Sequence, residues 1–344
     1  MYQAGIIGAT GYAGVELLRL LLNHPEVEIA AISSVSFEGK AISEVYPSLA
    51  GRCGLICGTA TEVVEKSDVV FAALPHGMSQ ETAYTCANAG KIFIDLGADF
   101  RLTQEADYQA WYKLDYIHKE LHEEAVYGLP ELFRKDIVGK RIIGNPGCYP
   151  TSIALGLSPA LKAGVVEPTG IILDSKSGVT GAGRALSQTT HYPDANENFS
   201  AYKIAAHRHT PEIEQSLSLA AGEPLRVTFV PHLLPVNRGI LSTCYARLKE
   251  GVTLDSVYAI YEKAYENELF VRLLPLGQVA CIKNVKYSNY CDISLHWDQR
   301  TGTLIVLSAI DNMVKGSAGQ AIQNMNLLLG LPEETGLAMV PPAF

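Results

Sequence analysis

The sequence predicts an α/β protein: a doubly wound parallel sheet, then an α+β domain with a mixed, largely antiparallel sheet. Three observations carry this prediction. The chain opens on a short apolar run, a glycine turn and a helical repeat. Short apolar runs then alternate with helical periodicity through the first half, the pattern of parallel strands joined by helices. After Arg226 the runs lengthen and alternate, and residues 298–302 form a hairpin turn between two of them. The 344 residues suit about two domains. The boundaries read as 1–147 and 148–312, with 313–344 returning to complete the first domain.

Residues 4–7 form the first strand, and Gly8-Ala9-Thr10-Gly11-Tyr12-Ala13-Gly14 follows directly. Val15, Leu17, Leu18, Leu21 and Leu22 then recur at helical spacing. Glycines ahead of a helix N-terminus make a pyrophosphate cradle, because free N–H groups and the helix dipole face the ligand. Gly8, Thr10, Gly11, Tyr12, Ala13 and Gly14 are therefore assigned to a dinucleotide. The second strand, 27–32, ends in Ser33-Ser34, where an NAD site usually carries an acid for the ribose 2′-hydroxyl. Its absence favours NADP(H), with Ser33 and Ser34 leaving room for a 2′-phosphate and Lys40 as a candidate partner.

Strand 68–73 ends in Leu74-Pro75-His76-Gly77, and strand 91–95 runs into Asp99-Phe100-Arg101. Ligands of such sheets sit beyond the carboxyl ends of the strands. Pro75 is assigned to the cofactor, and His76 reads as a neighbouring loop residue rather than a catalytic one. Arg101 has two readings, a substrate anion or a structural salt bridge to Asp99 or Glu131.

The stretch GNPGCYPTS follows strand 141–143. Asn145-Pro146-Gly147 is a turn, and Ile153, Leu155, Leu157 and Leu161 mark a helix to about residue 163, with Pro150 in its first turn. Cys148 therefore stands at a helix N-terminus, where a thiolate is stabilised. Strand 170–175 leads into a Gly/Ser/Thr loop, 176–184, whose backbone can face an anion; Ser177 and Gly178 are assigned to the cofactor. Residues 187–202 show no periodicity. His207-Arg208-His209 then precede a helix with Thr210 as N-cap, Pro211 as first residue and Glu212 in the first turn. Cysteine with histidine is a nucleophile–base pairing. A metal at His207 and His209 lacks a third ligand at suitable spacing. Strands 238–248, 289–297 and 303–311 follow; one sheet face packs the helices around Ile153 and Ile213, and the other is free for a subunit interface. Asn312 and Lys315 precede the last helix, either touching the cofactor or capping that helix.

Composition excludes several classes. With 48% hydrophobic and 18% charged residues, the chain is too apolar to be disordered. Its net charge of −9 argues against a nucleic-acid partner. No apolar run approaches the ~20 residues of a membrane span. The start, MYQAGIIGATG, has no basic leader, and seven cysteines, an odd count, do not suit a disulfide framework. A cytoplasmic protein with free thiols is expected.

Taken in order, GATGYAGVELLRLL, ALPHGMS, DLGADFRL, YGLPEL, GNPGCYPTS, SKSGVTGAGR, AAHRHTPEIEQ and NMVKGSAGQAIQNMN resemble the N-acetyl-gamma-glutamyl-phosphate reductases. The segments span nearly the whole chain. One departure is Ser152, where the family often has Gly or Ala. The resemblance implies a Rossmann-type NADP-binding domain and a catalytic and dimerisation domain, with a fold shared with aspartate-semialdehyde dehydrogenase. It implies NADPH-dependent reduction of an acyl phosphate, N-acetyl-L-glutamyl 5-phosphate, to the semialdehyde in arginine biosynthesis. Aminoadipyl or aspartyl phosphates would use the same machinery. The catalytic cysteine maps onto Cys148 and the active-site histidine onto the His207/His209 pair, with His209 favoured. Asn145, Arg101, Arg184, Arg208 and Glu212 are assigned to the substrate, no metal is expected, and the assembly is expected to be a homodimer or homotetramer.

Overall fold

The computed structural model describes residues 1–344. The chain forms two compact units, Met1–Pro146 with Ser317–Ala338, and Gly147–Gly316 with Met339–Phe344. The first unit holds strands β1 (Tyr2–Ile7), β2 (Val27–Ser33), β3 (Cys57–Gly58), β4 (Val69–Ala72), β5 (Ile92–Asp95), β6 (Val126–Tyr127) and β7 (Ile142–Gly144). They pair in parallel in the order β3-β2-β1-β4-β5-β7-β6. The order reverses between β1 and β4, so the crevice beyond their carboxyl ends is the natural ligand site of this sheet. Ile6, Val70, Phe71 and Phe93 are fully buried, as runs of a sheet covered on both faces must be.

The helix Gly319–Leu328 belongs to this unit. Asn324 donates to the Gly128 carbonyl (2.8 Å), and Asn326 shares a hydrogen bond with His24 (2.9 Å). Polar residues on this helix are thus satisfied inside the fold. At the end of β7, Gly144 lies against the Phe100 carbonyl, which an added Cβ would strike.

The second unit holds β8 (Ile171–Gly178), β9 (Ser200–Ala201), β10 (Val227–Leu234), β11 (Ile240–Arg247), β12 (Val271–Leu273), β13 (Cys291–Asp298) and β14 (Thr303–Ile310). Their order is β12-β13-β14-β11-β8-β10-β9, with β8/β10 and β12/β13 parallel and the other pairs antiparallel. The helix Cys148–Lys162 lies across one face, and Thr210–Ala221 and Leu254–Tyr265 pack beside it. Ser152 donates to the Ser308 carbonyl (3.1 Å) and so anchors the helix to β14. Gly156 brings the helix down onto Ser308 and Val306. Tyr261 donates to the Gly156 carbonyl (2.7 Å) from the outer side. On the opposite sheet face Ile172, Tyr245, Ile305 and His296 stand side by side in register, and Ile172 is exposed.

Ser317–Ala338 groups with the first unit, and 313–316 and Met339–Phe344 with the second. The π-helical turn Val314–Ala318 brings Gly316 under Cys148, where an added Cβ would come within 2.8 Å of the cysteine Cβ. At the helix start at 210, His209 holds the N-cap position without a side-chain cap, and Thr210 lies inside the first turn.

Gly144→Ala is expected to cost about 2 kcal/mol or more, because the obstruction is backbone that cannot turn aside. A melting temperature within a degree of wild type would contradict this packing.

Candidate active site

Cys148 is the first residue of its helix, and the N-cap, Gly147, has no side chain to cover the free N–H groups. Those donors and the helix dipole favour an anion at the first turn. Among the cysteines, Cys53, Cys57, Cys86, Cys244 and Cys291 are buried, and burial pushes Cys86 and Cys244 up to about 12. Cys148 and Cys281 are only partly buried, and of the two only Cys148 opens an α-helix. The turn ahead of it is fixed from the next helix: the Glu212 carboxylate, 1% exposed, accepts the Gly147 N–H at 2.7 Å. Glu212, which the sequence assigns to the substrate, holds the cysteine turn with this oxygen.

Both histidines border the ring of Tyr149, the residue after Cys148. The ring centroids lie 5.5 Å from His207 and 6.0 Å from His209, edge-on in both cases. His207 Nδ1 accepts the backbone N–H of His209 (3.1 Å), which leaves the proton on Nε2. Nε2 faces the Tyr202 hydroxyl (3.4 Å), which donates to the Tyr149 hydroxyl (3.1 Å). Burial, with Lys203 and Arg208 nearby, pushes His207 down to about 3. His207 is therefore a neutral strut, engaged at both nitrogens. Burial and the neighbouring Cys148 raise the Tyr149 and Tyr202 hydroxyls, so both stay protonated.

In the first unit residues 8–11 turn directly from β1 into the helix Tyr12–Leu21. Gly8 has φ +80° and sits against the Ala73 carbonyl. Gly14 packs against Gly8 and Ala9 with no room for a Cβ. The helix Tyr12–Leu21 has Gly11 as N-cap and no side-chain cap, so its first donors face the space that a pyrophosphate would fill. Ser33 accepts the N–H groups of Gly8 and Ala9, and the Ser34 and Thr10 hydroxyls pair at 2.7 Å. The end of β2 thus meets the cradle through hydroxyls and carries no carboxylate. These residues fit a dinucleotide with a 2′-phosphate. Pro75 is exposed on the loop that leaves β4.

Several of the residues assigned to ligands have partners within their own unit. Arg101 is buried, and its guanidinium donates to the carbonyls of Asn145 (2.7 Å) and Leu96 (2.9 Å). Asn145 is buried, donating to the Ser317 carbonyl and accepting from Asn324. The Ser177 hydroxyl is buried and donates to the Gly178 carbonyl. Gly178 is pressed against the Asn237 backbone. Asn312 accepts from the Gly239 N–H (2.8 Å) and donates to Thr180 (3.0 Å). Lys315 is fully buried, its ammonium 5.7 Å from the Phe270 ring centre. Each of these polar groups is used inside its own unit. Arg184 and Arg208 are exposed. Sequence reasoning missed the tyrosines; the position of Tyr149 beside the cysteine was the available signal.

The chain matches two semialdehyde dehydrogenase domains, the NAD binding domain over residues 3–140 and the dimerisation domain over 148–312. Aspartate semialdehyde dehydrogenase II of Vibrio cholerae, solved with ASA, shares the fold, with a TM-score of 0.74 at 17% identity over 96% of this chain and 98% of that one. Aspartate semialdehyde dehydrogenase of Candida albicans, solved with NADP, has a TM-score of 0.70 at 16% identity, covering 95% and 98%. The fold and the cysteine site thus define the semialdehyde dehydrogenase class. Within that class the chain is 57% identical to the N-acetyl-gamma-glutamyl-phosphate reductase of Clostridium botulinum (strain Eklund 17B / Type B), over all of both chains. It is 54% identical to that of Brachyspira hyodysenteriae, again over all of both, and 52% to that of Desulfotalea psychrophila, over 99% of each. The chain belongs to the N-acetyl-gamma-glutamyl-phosphate reductase family.

The His207 environment predicts a pH dependence. A histidine with a lowered folded pKa contributes stability above its unfolded pKa near 6.5, and loses it as pH falls toward the folded value. Wild type is expected to lose on the order of 1–2 kcal/mol through this residue between pH 6.5 and 4.5. The stability gap between wild type and His207→Gln, read from denaturant midpoints, should therefore narrow on acidification. A gap that stays constant would contradict the neutral-strut assignment.

Proposed function

We propose that this chain reduces N-acetyl-L-glutamyl 5-phosphate to the 5-semialdehyde with NADPH, in the cytoplasm, through a thioester on Cys148. The observation that carries the chemistry is Cys148, partly buried as the first residue of a 15-residue helix with no side-chain cap, followed by Tyr149, whose ring borders His209. The substrate follows from family membership.

The Cys148 thiolate attacks the acyl carbon, and the carbon–oxygen bond to phosphate breaks with phosphate leaving. NADPH, when bound, supplies a hydride to the resulting thioester. Backbone N–H groups of the first helical turn face the oxygen that gains charge in each step. His209 transfers the proton to and from that oxygen, and collapse of the thiohemiacetal releases aldehyde and regenerates the thiolate. Gly8, Gly11 and Gly14, with the N–H groups of Tyr12 and Ala13, hold the pyrophosphate. Ser34 and Thr10 meet the 2′-phosphate. Arg184 and Arg208 are the substrate's candidate anion partners. The sheet face with Ile172, Tyr245 and Ile305 joins a second copy of the chain, making a dimer or a tetramer built on it; the domain it belongs to matches a dimerisation domain.

The test runs the reaction in reverse with semialdehyde and NADP, following absorbance. Strict dependence on phosphate or arsenate is expected, and phosphate-independent oxidation would sink the acyl-enzyme route. Cys148→Ser is expected to lose essentially all turnover while still binding NADPH, because an oxygen ester accepts hydride poorly; a tenth of wild-type activity would refute the nucleophile. His209→Asn should lower turnover by roughly 10²-fold or more with Cys148 still alkylatable, and unchanged turnover would return the role to His207.

A further inference from the structure

The loop of residues 74–79 has little structure of its own, yet two fully buried carboxylates tie it down. Asp99 Oδ1 accepts the Gly77 N–H (2.6 Å) and the Tyr108 hydroxyl (2.8 Å). Asp99 Oδ2 accepts the Ser79 N–H (2.9 Å). Asp95 accepts the Ser79 hydroxyl (2.7 Å) and the N–H groups of Gly97 (2.9 Å) and Asp99 (3.1 Å). Burial and the neighbouring Asp99 push the Asp95 carboxyl up to about 6, against the stabilising Arg101. Burying two carboxylates side by side is costly. A loop that needed only to close the chain would not require it.

The location supplies the reason. The loop leaves β4 at Ala73, whose carbonyl presses against Gly8 of the cradle. Ala73 also donates to the Ile7 carbonyl (2.9 Å) at the end of β1. The loop therefore rises from the β1/β4 switch point, where a dinucleotide binds in such sheets. Gly77, at φ +85°, gives the turn that aims its N–H at Asp99. His76 sits in this turn, 5.2 Å from the Tyr112 ring centre, and Tyr112 stacks on Tyr108.

We propose that Asp99, backed by Asp95 and Tyr108, is a positioning residue that sets the 75–79 loop as a wall of the dinucleotide site and so governs NADPH affinity rather than the chemical step. The inference rests on the NADPH reading above. Asp99 touches neither cofactor nor substrate; it acts through the backbone of Gly77 and Ser79.

The experiment compares wild type, Asp99→Asn and Tyr108→Phe by NADPH fluorescence titration and steady-state kinetics. Asp99→Asn replaces one of the two accepting oxygens by an NH2, setting it against the N–H of Gly77 or of Ser79, and should raise the NADPH Kd and KM roughly tenfold. Tyr108→Phe removes one hydroxyl donor and should raise them roughly threefold. Turnover at saturating NADPH, the acyl-phosphate KM and the rate of Cys148 alkylation should stay within about twofold in both. Wild-type NADPH affinity in the folded variants would overturn the proposal, as would an equal loss in turnover and both KM values, which marks a general defect of the fold. If Asp99→Asn fails to fold, Tyr108→Phe alone decides. Failure of the wild type to bind NADPH would overturn the cofactor reading and this inference together, a result distinct from loss in the variants alone.

Discussion

The chemistry depends on one helix N-terminus and on what holds it still. The helix Cys148–Lys162 starts with backbone donors that no side chain of its own covers. A start of this kind frays unless something outside the helix pins it. The Glu212 carboxylate does so by taking the Gly147 N–H. Glu212 lies in the first turn of the helix Thr210–Ala221, where its charge suits that helix's dipole. Two helix N-termini are thereby fixed against each other, one presenting Cys148 and the other with His209 at its N-cap position.

The rest of the second unit serves that arrangement. Ser152 and Gly156 bring the cysteine helix onto β14, and Tyr261 holds it from outside. Gly316 passes so close under Cys148 that a larger residue would displace it. The run His207, Tyr202, Tyr149 keeps a neutral imidazole and two protonated phenols beside the thiol. His207 has both nitrogens engaged in these contacts.

Much of this was legible from the sequence, and what was not has a physical cause. The glycine cradle and Cys148 are local signals: a strand, a turn and a helix within a few residues fix where the donors point. The long strands of the second sheet were readable by alternation, whereas β3, β6, β9 and β12, of two or three residues each, are too short to show a period. The partners of Asn145, Arg101 and Asn312 come from distant segments, as in Asn312 with Gly239 or Arg101 with the Asn145 carbonyl, and no local pattern encodes those pairings. The Asp95–Asp99 pair was hidden for the same reason. Its spacing is visible, but the loop it restrains lies 16 to 22 residues earlier.

The central claim is that Cys148 carries the acyl group, and intact-protein mass spectrometry tests it most directly. The enzyme would be mixed with N-acetyl-L-glutamyl 5-phosphate without NADPH, quenched in acid and mapped by peptide. The account predicts a mass gain of one N-acetylglutamyl group on the peptide containing Cys148, released by hydroxylamine and lost on adding NADPH before the quench. An unmodified Cys148 in enzyme that turns over normally, or an adduct on another residue, would contradict it.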